Sequence, residues 1–161
     1  MKKKIPLILN SLATVFVAVV LLFAFLNFSS APEKKGLFGY KGFIVLSDSM
    51  APEFVAGDYI IDKVVPFEKL KVGDVVSYLD EQQVLVTHRV HEVSAEVLLL
   101  KGDQNDFIDT TVVNEGNYVG KQQYKVHKLG LIMLKLGQPI VLVGISFVFG
   151  IYLLYHFFKK R

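Results

Sequence analysis

The sequence predicts a mostly β fold: one compact β domain flanked by an N-terminal and a C-terminal transmembrane helix. Three observations carry this reading. Uncharged, almost wholly apolar stretches occupy 5–28 and 140–158 of the 161-residue chain. Each meets the roughly 20 residues that a helix needs to cross a bilayer. Between them run short segments rich in Val, Ile, Leu and Tyr, each bounded by Gly, Pro, Asp or Asn, and no long helical pattern interrupts them.

The basic ends come first. Lys2, Lys3 and Lys4 precede the first apolar stretch, and Lys159, Lys160 and Arg161 follow the second. Positive charge stays on the cytoplasmic side, so both termini are expected in the cytoplasm and the domain outside, in a multi-pass protein of the cell membrane. The implied division is 1–4 basic end, 5–28 span, 29–39 linker ("SSAPEKKGLFG"), 40–138 extracytoplasmic β domain, 139–158 span and 159–161 basic end. The start also resembles a cleavable signal peptide, with small Ser29 and Ala31 after the apolar run. That run exceeds the ~7–15 residues of a signal core, which favours an uncleaved anchor.

Within the domain, six segments read as strands: 42–47, 58–65, 74–79, 83–93, 96–101 and 117–126. Gly57-Asp58 and Gly73-Asp74 each read as a turn that launches a strand. Phe67 to Lys71 is too short for a helix, and Lys128 to Gly137 reads either as a last strand or as a segment lying in the headgroup region. Six of the 18 basic residues sit at the two ends, so the rest of the chain is net acidic. A nucleic-acid surface is therefore not indicated. The absence of cysteine excludes disulfides, thiol catalysis and cysteine metal sites.

One polar knot stands out in this apolar chain. "VLSDSMAPEFVAGD", from Val45 to Asp58, places Ser47 and Ser49 one residue apart before Met50 and Pro52. A serine nucleophile needs a base and a group to orient the base. His88, His91 and His127 are the bases in the domain; His156 falls in the second apolar stretch. Each residue alone is also accommodated as an ordinary loop or strand residue. "DQNDFID" is loosely spaced like a calcium loop but lacks the Gly and terminal Glu of that pattern, and polar turn chemistry accounts for it. No metal site or cofactor is expected.

The blocks together carry more than each alone. Ser47 to Pro52, Gly57-Asp58, Gly73 to Val76, Thr87-His88-Arg89-Val90 and Lys101 to Asp109 occur in an order that resembles signal peptidase I. The match is to the Ser-His branch (peptidase family S26) found in the endoplasmic reticulum, archaea and some Gram-positive bacteria. The resemblance implies Ser49 as nucleophile, His88 as base and Asp109 as the aspartate that orients it. It implies Ser47 as an oxyanion donor and Asp103 as an organiser of the site. Two departures are visible: Asp48 stands where the family usually has Gly, and the acidic block has Gln104 and an added Asp106, which leaves Asp106 beside Asp109 as the third member.

What the resemblance implies is a membrane-bound serine endopeptidase that removes N-terminal signal peptides after small residues, at A-x-A-like sites. Its partners would be signal-peptide-bearing preproteins, the lipid bilayer and accessory membrane subunits. Ile44, Met50 and Pro52 are the expected substrate contacts; Phe43 and Val45 fit core packing better. The alternative is a non-enzymatic, membrane-anchored β-module that assists export or surface assembly.

Overall fold

The computed structural model describes residues 31–32, 36–94 and 96–138, with isolated positions 11, 14, 17, 144, 147, 149–152 and 155. The chain divides into two compact units, Leu26–Leu131 and Met1–Phe25 with Ile132–Arg161. The first holds a six-stranded sheet: β1 (Tyr40–Ile44), β2 (Tyr59–Lys63), β3 (Val75–Leu79), β4 (Leu85–Ser94), β5 (Val97–Lys101) and β6 (Tyr118–Val126). The order is β1-β2-β6-β3-β4-β5, and every neighbouring pair is antiparallel. All six expected strands form, although β1 stops at Ile44 and releases Val45 to Ser47 into the following loop.

The two Gly-Asp turns act as the sequence suggests. Gly57 and Gly73 take φ of 92° and 91°, a region that glycine enters without steric cost. Each delivers the chain into a strand two residues later, at Tyr59 and Val75. Phe67–Lys69 forms one turn of 3-10 helix.

Lys128 to Gly137 departs from the strand alternative: Leu129–Leu136 is an α-helix, α1. Two further expectations are corrected. Among the described residues no helix is long and apolar enough to cross a membrane, and α1 has only eight residues against the roughly 20 that a span takes. The flanking transmembrane helices are therefore not supported. The multi-pass localisation with both termini in the cytoplasm rested on them and does not stand. The stretches 5–28 and 139–158 lie outside the described residues except at the isolated positions given above.

Strand side chains alternate between the two faces of a sheet, and central β3 is buried on both. Val76 and Tyr78 join Leu70, Val90, Leu98, Leu100 and Val113 in one core cluster. Val75, on the opposite face, joins Met50, Phe54 and Ile60 in another. The second cluster anchors the β1–β2 loop, because Met50 and Phe54 belong to that loop and are almost fully buried.

One buried carboxyl interrupts this packing. Asp62 on β2 is 0% exposed, and neither of its oxygens has a hydrogen-bond partner among the described residues. Burial pushes its carboxyl up to about 6, against the opposing pull of the Ser77 hydroxyl and the Lys41 ammonium. The Ser77 hydroxyl has its close partner elsewhere, in Thr87 at 2.6 Å. Because the folded-state value lies above the unfolded one, the folded chain binds the extra proton between about pH 4 and pH 6. Stability therefore falls as pH rises through that window. Asp62→Asn is expected to raise stability at pH 8 by up to about 3 kcal/mol and to change little at pH 3.5. Urea denaturation at the two pH values checks this; an equal effect at both would remove the linkage.

Candidate active site

The loop between β1 and β2 is closed at its base by two backbone bonds, Val45 N–H to Asp58 O and Gly57 N–H to Val45 O, both 2.9 Å. Inside it, Ala51 N–H donates to Asp48 O at 2.9 Å, and Ala56 N–H donates to Asp48 Oδ1 at 2.8 Å. Met50 plugs the core beneath. These constraints leave Ser47 and Ser49 on the outer side of a pinned turn, with their hydroxyl oxygens 3.3 Å apart. Ala51–Pro52 is a cis peptide bond.

His88 approaches from β4, where it pairs with Val76 of β3. It is 8% exposed. Its Nε2 lies 3.1 Å from Ser49 Oγ, and its Nδ1 lies 2.6 Å from Asp109 Oδ2. Asp109 is held in the loop after β5 by its own N–H, which donates to Leu100 O at 2.8 Å. The same Asp109 oxygen also accepts the Tyr78 hydroxyl at 2.9 Å. Tyr78 is 2% exposed, so burial and the adjacent carboxylate both keep its hydroxyl protonated. One continuous hydrogen-bonded chain thus runs Tyr78–Asp109–His88–Ser49.

The neighbouring residues brace this chain. Arg89 donates through Nε and Nη2 to the two oxygens of Asp103, at 2.9 and 2.7 Å, and through Nη1 to Gly73 O at 2.9 Å. Such a two-point pair fixes geometry as well as charge. Gln104 sews the acidic loop to the serine loop: its N–H donates to Ser49 O at 2.9 Å and its Nε2 to Ala51 O at 3.0 Å.

Two cavities meet at Ser49. One, of about 620 Å³, is mainly apolar and includes Phe43, Ile44, Leu46, Leu85 and Val86, with Ser47, Thr87 and His88. The other, of about 860 Å³, is lined by Asp48, Ala51, Val55, Ala56, Gln104 and Asn105.

The expected site residues are distributed as follows. Ser47, Ser49, His88 and Asp109 come together; Asp103 stands beside them through Arg89. Ile44 lines the apolar cavity. Met50 is buried in the core, and Pro52 is exposed and belongs to the lining of neither cavity. Asp106 is exposed and takes no part in the chain. His127 pairs with Asp58 at 2.8 Å instead. The sequence reading missed Tyr78, whose partner is 31 residues further on. Among the described residues no group of three or more His, Asp or Glu side chains is arranged to hold a metal ion.

No family model matches the chain. It is 33% identical over 120 residues to the signal peptidase complex catalytic subunit SEC11 of Scheffersomyces stipitis, a match covering 66% of this chain and 69% of that protein. The chain belongs to the signal peptidase I family. Signal peptidase I W of Bacillus subtilis is 31% identical over 104 residues, 62% of this chain and 55% of that one. SEC11 of Candida dubliniensis is 37% identical over 94 residues, 55% of this chain and 53% of that one. The chain thus spans little more than half the length of these two signal peptidase relatives.

Proposed function

We propose that the chain is a serine endopeptidase that removes N-terminal signal peptides from exported preproteins. The observation that carries this is the hydrogen-bonded run from Asp109 through His88 to Ser49, in a chain of the signal peptidase I family. A serine hydroxyl is a weak nucleophile until a neighbouring base takes its proton. His88 Nε2 stands 3.1 Å from Ser49 Oγ, within reach of that proton.

In the proposed reaction Ser49 Oγ attacks the scissile carbonyl carbon while its proton passes to His88 Nε2. Asp109 accepts a hydrogen bond from His88 Nδ1–H without taking the proton, holds the ring in the tautomer whose Nε2 is free, and stabilises the imidazolium that forms. The Ser47 hydroxyl and the Ser49 N–H face the negative charge that develops on the carbonyl oxygen. His88 then returns the proton to the leaving amine, and the signal peptide remains as an ester on Ser49. Water, deprotonated by His88, hydrolyses that ester. The apolar cavity beside Ser49 suits the small and apolar residues that precede an A-x-A-like cut. Two of these relatives are named as the catalytic subunit of a signal peptidase complex, and accessory subunits are part of the same proposal.

The test uses the full chain and a preprotein carrying an Ala-x-Ala site. Mass spectrometry should map the cut to the bond after the second alanine, and acid quenching should trap the acyl group on the peptide that contains Ser49. An uncut preprotein across a range of signal sequences would overturn the assignment and leave a non-enzymatic module; an acyl group carried elsewhere would overturn Ser49 as the nucleophile.

Tyr78 enters this scheme as a positioning residue. Its hydroxyl fixes the Asp109 carboxylate that in turn fixes His88. A hydrogen bond to a charged group is worth about 1.5–3 kcal/mol. Tyr78→Phe is therefore expected to lower kcat about 10-fold or more with KM unchanged. A rise in KM at constant kcat would instead make Tyr78 a wall of the substrate site.

A further inference from the structure

Ser49 lies on the lining of two cavities, one mainly apolar and one of mixed lining that carries a single charged side chain. A peptide whose scissile carbonyl reaches Ser49 Oγ has both cavities within reach of its flanking residues. Phe43, Ile44 and Leu46 help make the first cavity an apolar receptacle for the residues before the cut. The second cavity, lined by Asp48 and Gln104 and sharing Asn105 with the first, is then the one open to the residues after the cut.

Asp48 is the charged side chain of that second cavity. It is exposed but not free to swing. Ala56 N–H holds its Oδ1 at 2.8 Å, and Ala51 N–H holds its backbone carbonyl at 2.9 Å. No Lys, Arg or His among the described residues forms an ion pair with it. A fixed negative charge therefore stands one residue from Ser49, on the wall that the emerging chain must pass. Fixed charges of this kind act mainly by selecting partners.

We propose that the second cavity is the subsite for the residues after the cut, and that Asp48 selects a cationic one, Lys or Arg, at the first or second of those positions. This rests on the peptidase reading above and names a substrate class for it: preproteins whose mature part begins with a basic residue. The family's usual glycine at position 48 would carry no such preference.

The test compares three peptides that share an Ala-x-Ala site and differ only in having Lys, Gln or Glu at both positions after the cut. With the full chain at low ionic strength, kcat/KM is expected to fall in the order Lys, Gln, Glu. The Lys-to-Glu ratio should be about tenfold, since one partner is attracted and the other repelled at a part-exposed site. Asp48→Asn keeps an acceptor for Ala56 N–H and removes the charge; it should reduce the ratio below about twofold. Raising the salt to about 0.5 M should shrink the wild-type ratio without any substitution, so the outcome does not depend on the variant folding. A ratio near one in the wild type, a ratio that persists in Asp48→Asn, or one that ignores salt would overturn the subsite, provided Ser49→Ala still abolishes cleavage. Cleavage of none of the peptides, or cleavage that survives Ser49→Ala, would overturn the peptidase reading, and the subsite with it.

Discussion

Replacing Ser49 with alanine is expected to lower the rate of signal-peptide cleavage by about 10⁴-fold or more. The size follows from what is removed. Ser49 Oγ is the atom that bonds to the substrate in the proposed reaction, and it stands 3.1 Å from the His88 base. Ser47, 3.3 Å from Ser49 Oγ, is the natural control. As an oxyanion donor it contributes less, and Ser47→Ala should cost about 10²-fold. His88→Ala should match Ser49→Ala, because the two groups act as a unit. The double variant should then be little slower than either single one. Single-turnover rates with a peptide substrate measure all four. If Ser47→Ala proves the slower of the two serine variants, the nucleophile has been assigned to the wrong residue. Folding should be unaffected in Ser49→Ala, since Ser49 is only half-buried and, among the described residues, its hydroxyl bonds to His88 and Ser47 alone.

Much of the sheet is legible in the sequence, for a local reason. Short β-branched runs that begin just after Gly-Asp turns leave a strand little freedom over where to start, and Gly57 and Gly73 adopt the conformation that such turns need. The α1 segment is less legible because "LGLIMLKL" is eight apolar-rich residues, a length shared by strands and short helices. Apolar length was also the whole basis for the flanking spans, and length alone does not establish a membrane-crossing helix. Asp62 sits in the run "YIIDK", which reads only as a strand with polar residues at its end; nothing local reveals that the carboxyl is sealed from water. The site is non-local in the same way. Ser49 and His88 are 39 residues apart, and His88 and Asp109 are 21 apart. No periodicity links such separations, so the pairing was reachable only through the resemblance of ordered motifs. Tyr78 belongs to no motif, and the cavities on either side of Ser49 have no sequence signal at all.

The acidic loop after β5 offers three aspartates, and their surroundings argue for sharply different losses. Asp109→Asn is expected to lower kcat by about 10³–10⁴-fold with little change in KM. Asp109 lines neither cavity beside Ser49, so substrate affinity should hold. The loss arises from the single oxygen Oδ2, which accepts both His88 Nδ1–H and the Tyr78 hydroxyl. An amide can meet this demand in two ways. If its carbonyl takes the Oδ2 position, both hydrogen bonds survive but the negative charge that stabilises the imidazolium is gone. If its NH₂ takes that position, it must donate to His88 Nδ1, which leaves the proton on Nε2. The base can then no longer accept the proton of Ser49. Either arrangement disables His88. Asp106 is exposed and outside the hydrogen-bonded chain, so Asp106→Asn should stay within about threefold of the wild type. Asp103 is committed to the Arg89 guanidinium and cannot substitute for Asp109 without breaking a two-point pair. Steady-state kinetics of the Asp109 and Asp106 variants on one peptide decide the matter. A collapse of kcat in Asp106→Asn, with Asp109→Asn near the wild-type value, would assign the orienting role to Asp106, and the loop would then have to close differently when substrate is bound.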